Sequence, residues 1–157
     1  MKTFPHEYAV TVVGSPQGDL EVRADRLPVL NSAPPAEFDG PGDRWSPETL
    51  LVAAVADCFV LTFRAVARAL ELPWTSLRCE VSGTLDRLER VPQFTRFRIR
   101  AHLGVPAGTS EELARRALEK AEHGCLITNS LKATSQLETA VETIRAPQLA
   151  ALPRDVT

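Results

Sequence analysis

Apolar and polar residues alternate with a two-residue period near the start of the chain. Tyr8, Val10 and Val12 share one side, Gly14-Ser15-Pro16-Gln17-Gly18 interrupts, and Leu20 and Val22 resume the pattern. Alternation broken by a Gly/Pro/Ser cluster predicts two strands joined as a hairpin. The stretch RLPVLNSAPPAEFDGPGDRW at 26–45 is crowded with residues that end regular structure. It predicts an irregular crossing with one short strand near Val29, pinned to the fold by Leu30, Phe38 and Trp45. A helical signal follows: Ser46 is a good N-cap, Pro47 suits the first helical position, and Glu48 complements the positive end of the helix dipole. The helix should run to about Leu70, just ahead of Pro73. Its residues 50–63 are apolar on nearly every face, so it must be surrounded by protein, either its own sheet or a partner subunit.

Beyond this helix, Leu77, Cys79, Val81 and Leu85 oppose Arg78, Glu80, Ser82 and Thr84. A polar connection, DRLER at 86–90, leads to Phe97, Ile99, Ala101 and Leu103 alternating with Arg96, Arg98, Arg100 and His102. Both runs predict half-buried strands. Thr109-Ser110-Glu111-Glu112 has the pattern of a capping box ahead of an amphipathic helix carrying Leu113, Ala114, Ala117, Leu118 and Ala121, which Gly124 ends. CLITNSL at 125–131 predicts a turn and a short helix, and 134–144 a final strand. The class is α+β, with a single domain over 1–145 and a loosely held tail at 146–157.

Composition narrows the function classes. With 157 residues, 44% hydrophobic and 24% charged, and a net charge of -2, the chain has the makeup of one soluble globular domain. It lacks the basic excess of a nucleic-acid binder. The start MKTFPHEYAVTVVG has no continuous apolar segment of a signal peptide, and the apolar run 50–63 contains Asp57 and stops at Arg64, short of a membrane span. The expected location is cytoplasmic, with no membrane and no nucleic-acid partner. Three cysteines, Cys58, Cys79 and Cys125, cannot form a complete internal disulfide framework, and none lies in a Cys-x-x-Cys pair that would suggest zinc.

The cysteines are the candidates for chemistry. Cys58 lies deep in the long helix beside Asp57, where a cysteine serves either as a small hydrophobe or, given a nearby cation or donor, as a stabilised thiolate. Cys125 lies at a helix end, where backbone donors are available. Two such thiols can cooperate on a peroxide: one becomes a sulfenic acid, and the other condenses with it to a disulfide, which requires Cβ atoms roughly 4 Å apart. Cys79 alternates with Leu77 and Val81 and reads as core. Glu48 stands about 15 Å from Cys58 along the helix. Either it serves only the helix N-terminus, or a shared site joins the Glu48 end of one long helix to Cys58 of another across a subunit interface. There a carboxylate could orient an arginine. The stripe Arg96, Arg98, Arg100 and His102 reads as a solvated face with cross-strand partners. His6 and His102 show no ligand geometry, and His123 is at most a minor candidate for a base or metal ligand.

The motifs SPETLLVAAVADC at 46–58 and GCLITNSL at 124–131 resemble the OsmC/Ohr family of organic hydroperoxide reductases. The resemblance follows the whole order of elements. It implies an OsmC-like fold of antiparallel sheets packed around a long central helix, in an intertwined homodimer with two active sites at its interface. It implies Cys58 as the peroxidatic thiol, Cys125 as the resolving thiol and Glu48 as the carboxylate holding a catalytic arginine. No bound cofactor or metal is implied. An organic hydroperoxide is the substrate, and an external dithiol, lipoyl-linked in the family, resets the Cys58–Cys125 disulfide. Phe59, Phe63 and Leu126 are expected to line the site. The family places its arginine in the N-terminal region or just before a segment like Phe38-Asp39, where this chain has Glu37. Arg23 and Arg26, at a strand end, are the substitutes, ahead of Arg44. The alternative is a noncatalytic dimeric binding protein that keeps the apolar interface pocket without the peroxide chemistry.

Overall fold

The computed structural model describes residues 3–144; the tail expected at 146–157 lies outside them. The chain falls into two compact units, one up to Ala53 and one from Ala54.

In the first unit, β1 (Thr11–Val13) and β2 (Leu20–Arg23) form the predicted hairpin, Val12 opposite Val22, and β3 (Leu30–Ser32) adds to β2 in the order β1-β2-β3. Gly18 takes a left-handed φ of 90° in the hairpin turn. Tyr8 and Val10 precede the strand, because β2 offers partners only to residues 11–13. Among the described residues up to Ala53, Ser32, Ala33 and Ser46 alone are buried, and Val12 and Val13 stay exposed. The irregular crossing is held at its end, where the Ala33 amide donates to the Trp45 carbonyl at 2.8 Å. Phe38 does not pin it, being exposed on a 3-10 turn, Ala36–Phe38. The turn requires Gly40, since a Cβ there would lie 1.6 Å from the Pro34 carbonyl oxygen.

Helix α1 (Pro47–Ala69) begins with a reciprocal cap: the Thr49 amide donates to Ser46 Oγ at 3.1 Å, and the Ser46 amide donates to Thr49 Oγ1 at 2.8 Å. Threonine thus fills the position a glutamate usually takes in a capping box. The helix ends at a left-handed Glu71, with the Leu72 amide donating back to Ala67 at 2.9 Å and Leu72 buried, as a Schellman closure requires. Within the second unit, Val55, Phe59, Phe63 and Ala67 form one buried seam, while Leu61 is 52% exposed. A single chain therefore covers only part of this apolar helix. By length and composition α1 is also long and apolar enough to cross a membrane, with mean hydropathy 2.0 over its best window. The run 50–63 understates it because the helix continues apolar past Arg64.

The second unit holds a sheet of order β4-β5-β6, made of β4 (Ser76–Leu88), β5 (Val91–Pro106) and β6 (Thr134–Ile144). The polar connection predicted at 86–90 shrinks to Glu89-Arg90. Both adopt positive φ, 49° and 72°, the geometry that lets a two-residue loop follow strand twist, and Asp86 to Leu88 extend β4. The sheet is mixed rather than antiparallel: β5 pairs with β6 in parallel. The cause is the connection, because α2 (Glu111–His123) carries the chain back to the starting end of β5, as parallel neighbours demand. The cap of α2 is Ser110, which accepts from the Leu113 amide at 3.2 Å; this shifts the frame one residue from the predicted box, and the third helical residue is Leu113 instead of Glu112.

Alternation on β5 buries Phe97, Ile99, Ala101, Leu103 and Val105 to 2% exposure or less. Ala114, Ala117, Leu118 and Ala121 bury the inner face of α2, and its polar flank reaches β6 through Arg115, which donates to Thr139 Oγ1 at 2.9 Å. On the outer face Arg98 and Arg100 share Glu138 at 3.4 and 3.0 Å, exposed pairs worth about 0–1 kcal/mol each.

Candidate active site

Two consecutive helix ends place Cys125. Gly124 closes α2, its amide donating to Lys120 at 3.0 Å, and Cys125 occupies the N-cap position of α3 (Leu126–Asn129) with extended backbone. Asn129 Nδ2 donates to the His123 carbonyl at 3.0 Å and Thr128 Oγ1 to the Cys125 carbonyl at 3.1 Å, which fixes the corner between the two helices. Helix α1 passes close beside it. A Cβ on Gly124 would come within 3.2 Å of Thr62 Cγ2, a tight approach that glycine leaves open.

Cys58 and Cys125, both free thiols, stand near enough here to influence each other's protonation. Cys58 is half-buried and Cys125 fully buried. Burial pushes the Cys58 thiol up, but the Ile127 amide, the Cys125 thiol, the Thr62 hydroxyl and the Leu126 amide outweigh it and leave the pKa lowered. Burial also pushes Cys125 up. The Thr128 hydroxyl and amide pull it down, but Cys58, as hydrogen-bond partner and as charge, helps keep the net shift upward. The directions agree on one picture: Cys58 loses its proton before Cys125 does.

Cys79 is half-buried on β4 opposite Ala101. Its thiol is pushed up to about 11 by burial, with the charges of Cys125 and Glu80 adding to the effect. Iodoacetamide at neutral pH should therefore modify Cys58 ahead of both Cys79 and Cys125, as read by peptide mapping. Preferential labelling of Cys79 would contradict this order.

Glu48 lies in the first turn of α1, and its Oε2 is buried with no hydrogen-bond partner among the described residues. The candidate arginines are engaged locally. Arg23 bonds Glu21, Arg26 bonds Asp25 at 3.1 Å, and Arg44 bonds Asp19 at 2.8 Å and Asp43 at 3.0 Å. Around Cys58, the groups that favour its thiolate are amides, a hydroxyl and a thiol. Of the apolar residues expected to line the site, Phe59 and Phe63 are instead core, fully buried, with Phe63 edge-on to Trp74 at 5.3 Å; Leu126 is 71% exposed. His123 is exposed, its Nδ1 bonded to the Glu119 carbonyl at 2.7 Å, and among the described residues no cluster of His, Cys, Asp and Glu could hold a metal ion.

Sequence reasoning missed Thr62 and Thr128. Their signals are spacings: Thr62 lies one helical turn after Cys58, and Cys125-x-x-Thr128 sets an N-cap against the third helical residue.

Among solved structures, this fold is similar to an OsmC-like protein of unknown function from Vibrio cholerae, with a TM-score of 0.79 and 17% identity over 87% of this chain and 100% of that one. It is also similar to an organic hydroperoxide resistance protein OsmC from Legionella pneumophila, with a TM-score of 0.70 and 23% identity over 88% and 98% of the two chains. A third, an organic hydroperoxide resistance protein from Elizabethkingia anophelis, has a TM-score of 0.69 and 20% identity over 92% and 100%. In sequence, the uncharacterized protein YmaD of Bacillus subtilis is 26% identical over 107 residues, 66% of this chain and 71% of YmaD. The family model for OsmC-like protein matches residues 40–140, a span that includes Glu48, Cys58, Cys79 and Cys125 but neither Arg23 nor Arg26. The chain therefore belongs to the OsmC-like protein family.

Proposed function

We propose that the chain is a thiol-dependent peroxidase that reduces organic hydroperoxides to alcohols, working as a homodimer. The observation that carries this reading is a pair of free thiols, brought near each other where Thr62 of α1 passes Gly124, whose pKa shifts are opposite: Cys58 down and Cys125 up. A lowered thiol attacks, and a protonated neighbour waits to resolve. The Cys58 thiolate attacks the distal oxygen of ROOH, the O–O bond breaks, and the alkoxide takes a proton to leave as ROH. Cys58 is then a sulfenic acid, and Cys125 condenses with it, releasing water and forming a disulfide. An external dithiol, lipoyl-linked as in the family, reduces that disulfide and is itself oxidised. No bound cofactor enters the cycle. A reducing compartment suits it, which makes the cytoplasm the proposed location.

Glu48 supports a role for arginine, because its buried Oε2 still has an acceptor position to fill. Arg23 and Arg26 are the proposed donors, since each has only an exposed pair with a neighbouring carboxylate to give up. The uncovered face of α1 and the scarcity of buried residues up to Ala53 support a second copy as the missing surround. The test is consumption of an alkyl hydroperoxide with dihydrolipoate or a simple dithiol. Turnover is expected; none with fully reduced thiols would favour a noncatalytic binding protein.

A further inference from the structure

We propose that Thr62 is a positioning residue for Cys58: its hydroxyl donates to the Cys58 sulfur once that sulfur is a thiolate, while its methyl seats on Gly124 and fixes the direction of the hydroxyl. The role in turnover rests on the peroxidase reading above, but the thiol chemistry is measurable without any peroxide.

Three observations carry it. Thr62 follows Cys58 by one helical turn, so the two side chains share a face, and Thr62 Oγ1 lies 4.0 Å from Cys58 Sγ. That is a long contact for a neutral pair, and a thiolate shortens such contacts because bonds to ionised acceptors are stronger. Secondly, hydroxyls in helices commonly donate to a carbonyl three or four residues back. Thr49 does so to Ser46 at 3.1 Å, Thr128 to Cys125 at 3.1 Å and Ser130 to Leu126 at 2.8 Å, whereas among the described residues the contact of Thr62 Oγ1 is the sulfur. Thirdly, the methyl is fixed. Its carbon would lie 3.2 Å from a Cβ on Gly124, so it occupies the space that glycine leaves open at the α2–α3 corner. Methyl and hydroxyl sit on one branched Cβ with a stiff χ1, so seating the first aims the second. The direction of the Cys58 shift agrees: burial raises the thiol, and Thr62 is one of the donors that lower it.

The experiment is the pH profile of Cys58 alkylation by iodoacetamide in full-length wild type, Thr62→Val and Thr62→Ser. Tryptic peptides 45–64, 79–87 and 121–132 carry the three cysteines separately, so each is read by mass spectrometry. Thr62→Val keeps the branched shape and the methyl contact but removes the hydroxyl. It is expected to raise the Cys58 midpoint by about half a pH unit to one unit, and to slow alkylation below the midpoint about three- to tenfold. Thr62→Ser keeps the donor and should stay near wild type. A wild-type profile in Thr62→Val overturns the proposal, as does a shift in Thr62→Ser equal to that of valine. Should Thr62→Val not fold, Thr62→Ala carries the same expectation. Failure of wild type to consume peroxide would remove the peroxidase reading while leaving this profile intact, so the two failures are distinguishable.

Discussion

Replacing Cys58 with serine is expected to reduce dithiol-dependent hydroperoxide consumption by about a thousandfold or more, because an un-ionised hydroxyl cannot substitute for a thiolate nucleophile. Cys125→Ser should behave differently. Its Cys58 still attacks, so one equivalent of peroxide is consumed per site, and the sulfenic acid accumulates where dimedone can trap it. Steady-state turnover then falls, since the disulfide that a dithiol reduces is not formed. Cys79→Ser should leave turnover close to wild type, given a thiol held protonated up to about 11. Equal rates in wild type, Cys58→Ser and Cys125→Ser would reject the assigned roles outright. Cys125→Ala would also remove a donor to Cys58, so its alkylation profile should move to higher pH.

Phe59→Ala should produce the largest loss of stability. Phe59 is fully buried on the covered seam of α1, next to Cys58 in sequence. Removing such a ring costs about 3–5 kcal/mol, against a total of about 5–15 kcal/mol for a typical domain. For a chain of this size the thermal midpoint should fall by about 10 °C or more, measured by circular dichroism or calorimetry. Leu61 is the control on the same helix. At 52% exposure, its truncation should cost about 1 kcal/mol or less within one chain. If a second copy covers that face, the cost of Leu61→Ala rises as dimer forms, and the difference between the two variants shrinks. A melting midpoint for Phe59→Ala within a degree or two of wild type would contradict the packing described here.

Where the hydrophobic period was long, the elements were legible. The start of α1 at Pro47 follows from Ser46 and Pro47, and β6 covers the predicted 134–144. Strand direction was not legible, because alternation reports which face is buried and not which neighbour pairs; the parallel β5–β6 ladder follows only from where α2 returns the chain. Turn chemistry also misled. Glu89-Arg90 holds two left-handed residues with neither glycine nor asparagine, so the hairpin gave no compositional sign of its tightness. At the site, Cys58 and Cys125 stood out as residue types, but their nearness depends on how closely Thr62 of α1 passes Gly124. The expectation for Phe59 and Phe63 failed because residues one and five positions past Cys58 turn away onto the buried seam of the helix.

The parallel placement of β6 also orders events during synthesis. Helix α1, with Cys58, and the β4–β5 hairpin can form from residues that leave the ribosome early, since their contacts are local or between neighbours in sequence. The α2–α3 corner that presents Cys125 comes later and is anchored on β6, through Arg115 to Thr139 and Glu122 to Ser135. Until residues 134–144 emerge and dock along β5, that anchorage is absent. At elongation rates of about 5–20 residues per second, the nascent chain spends seconds with Cys58 already made and Cys125 not yet positioned.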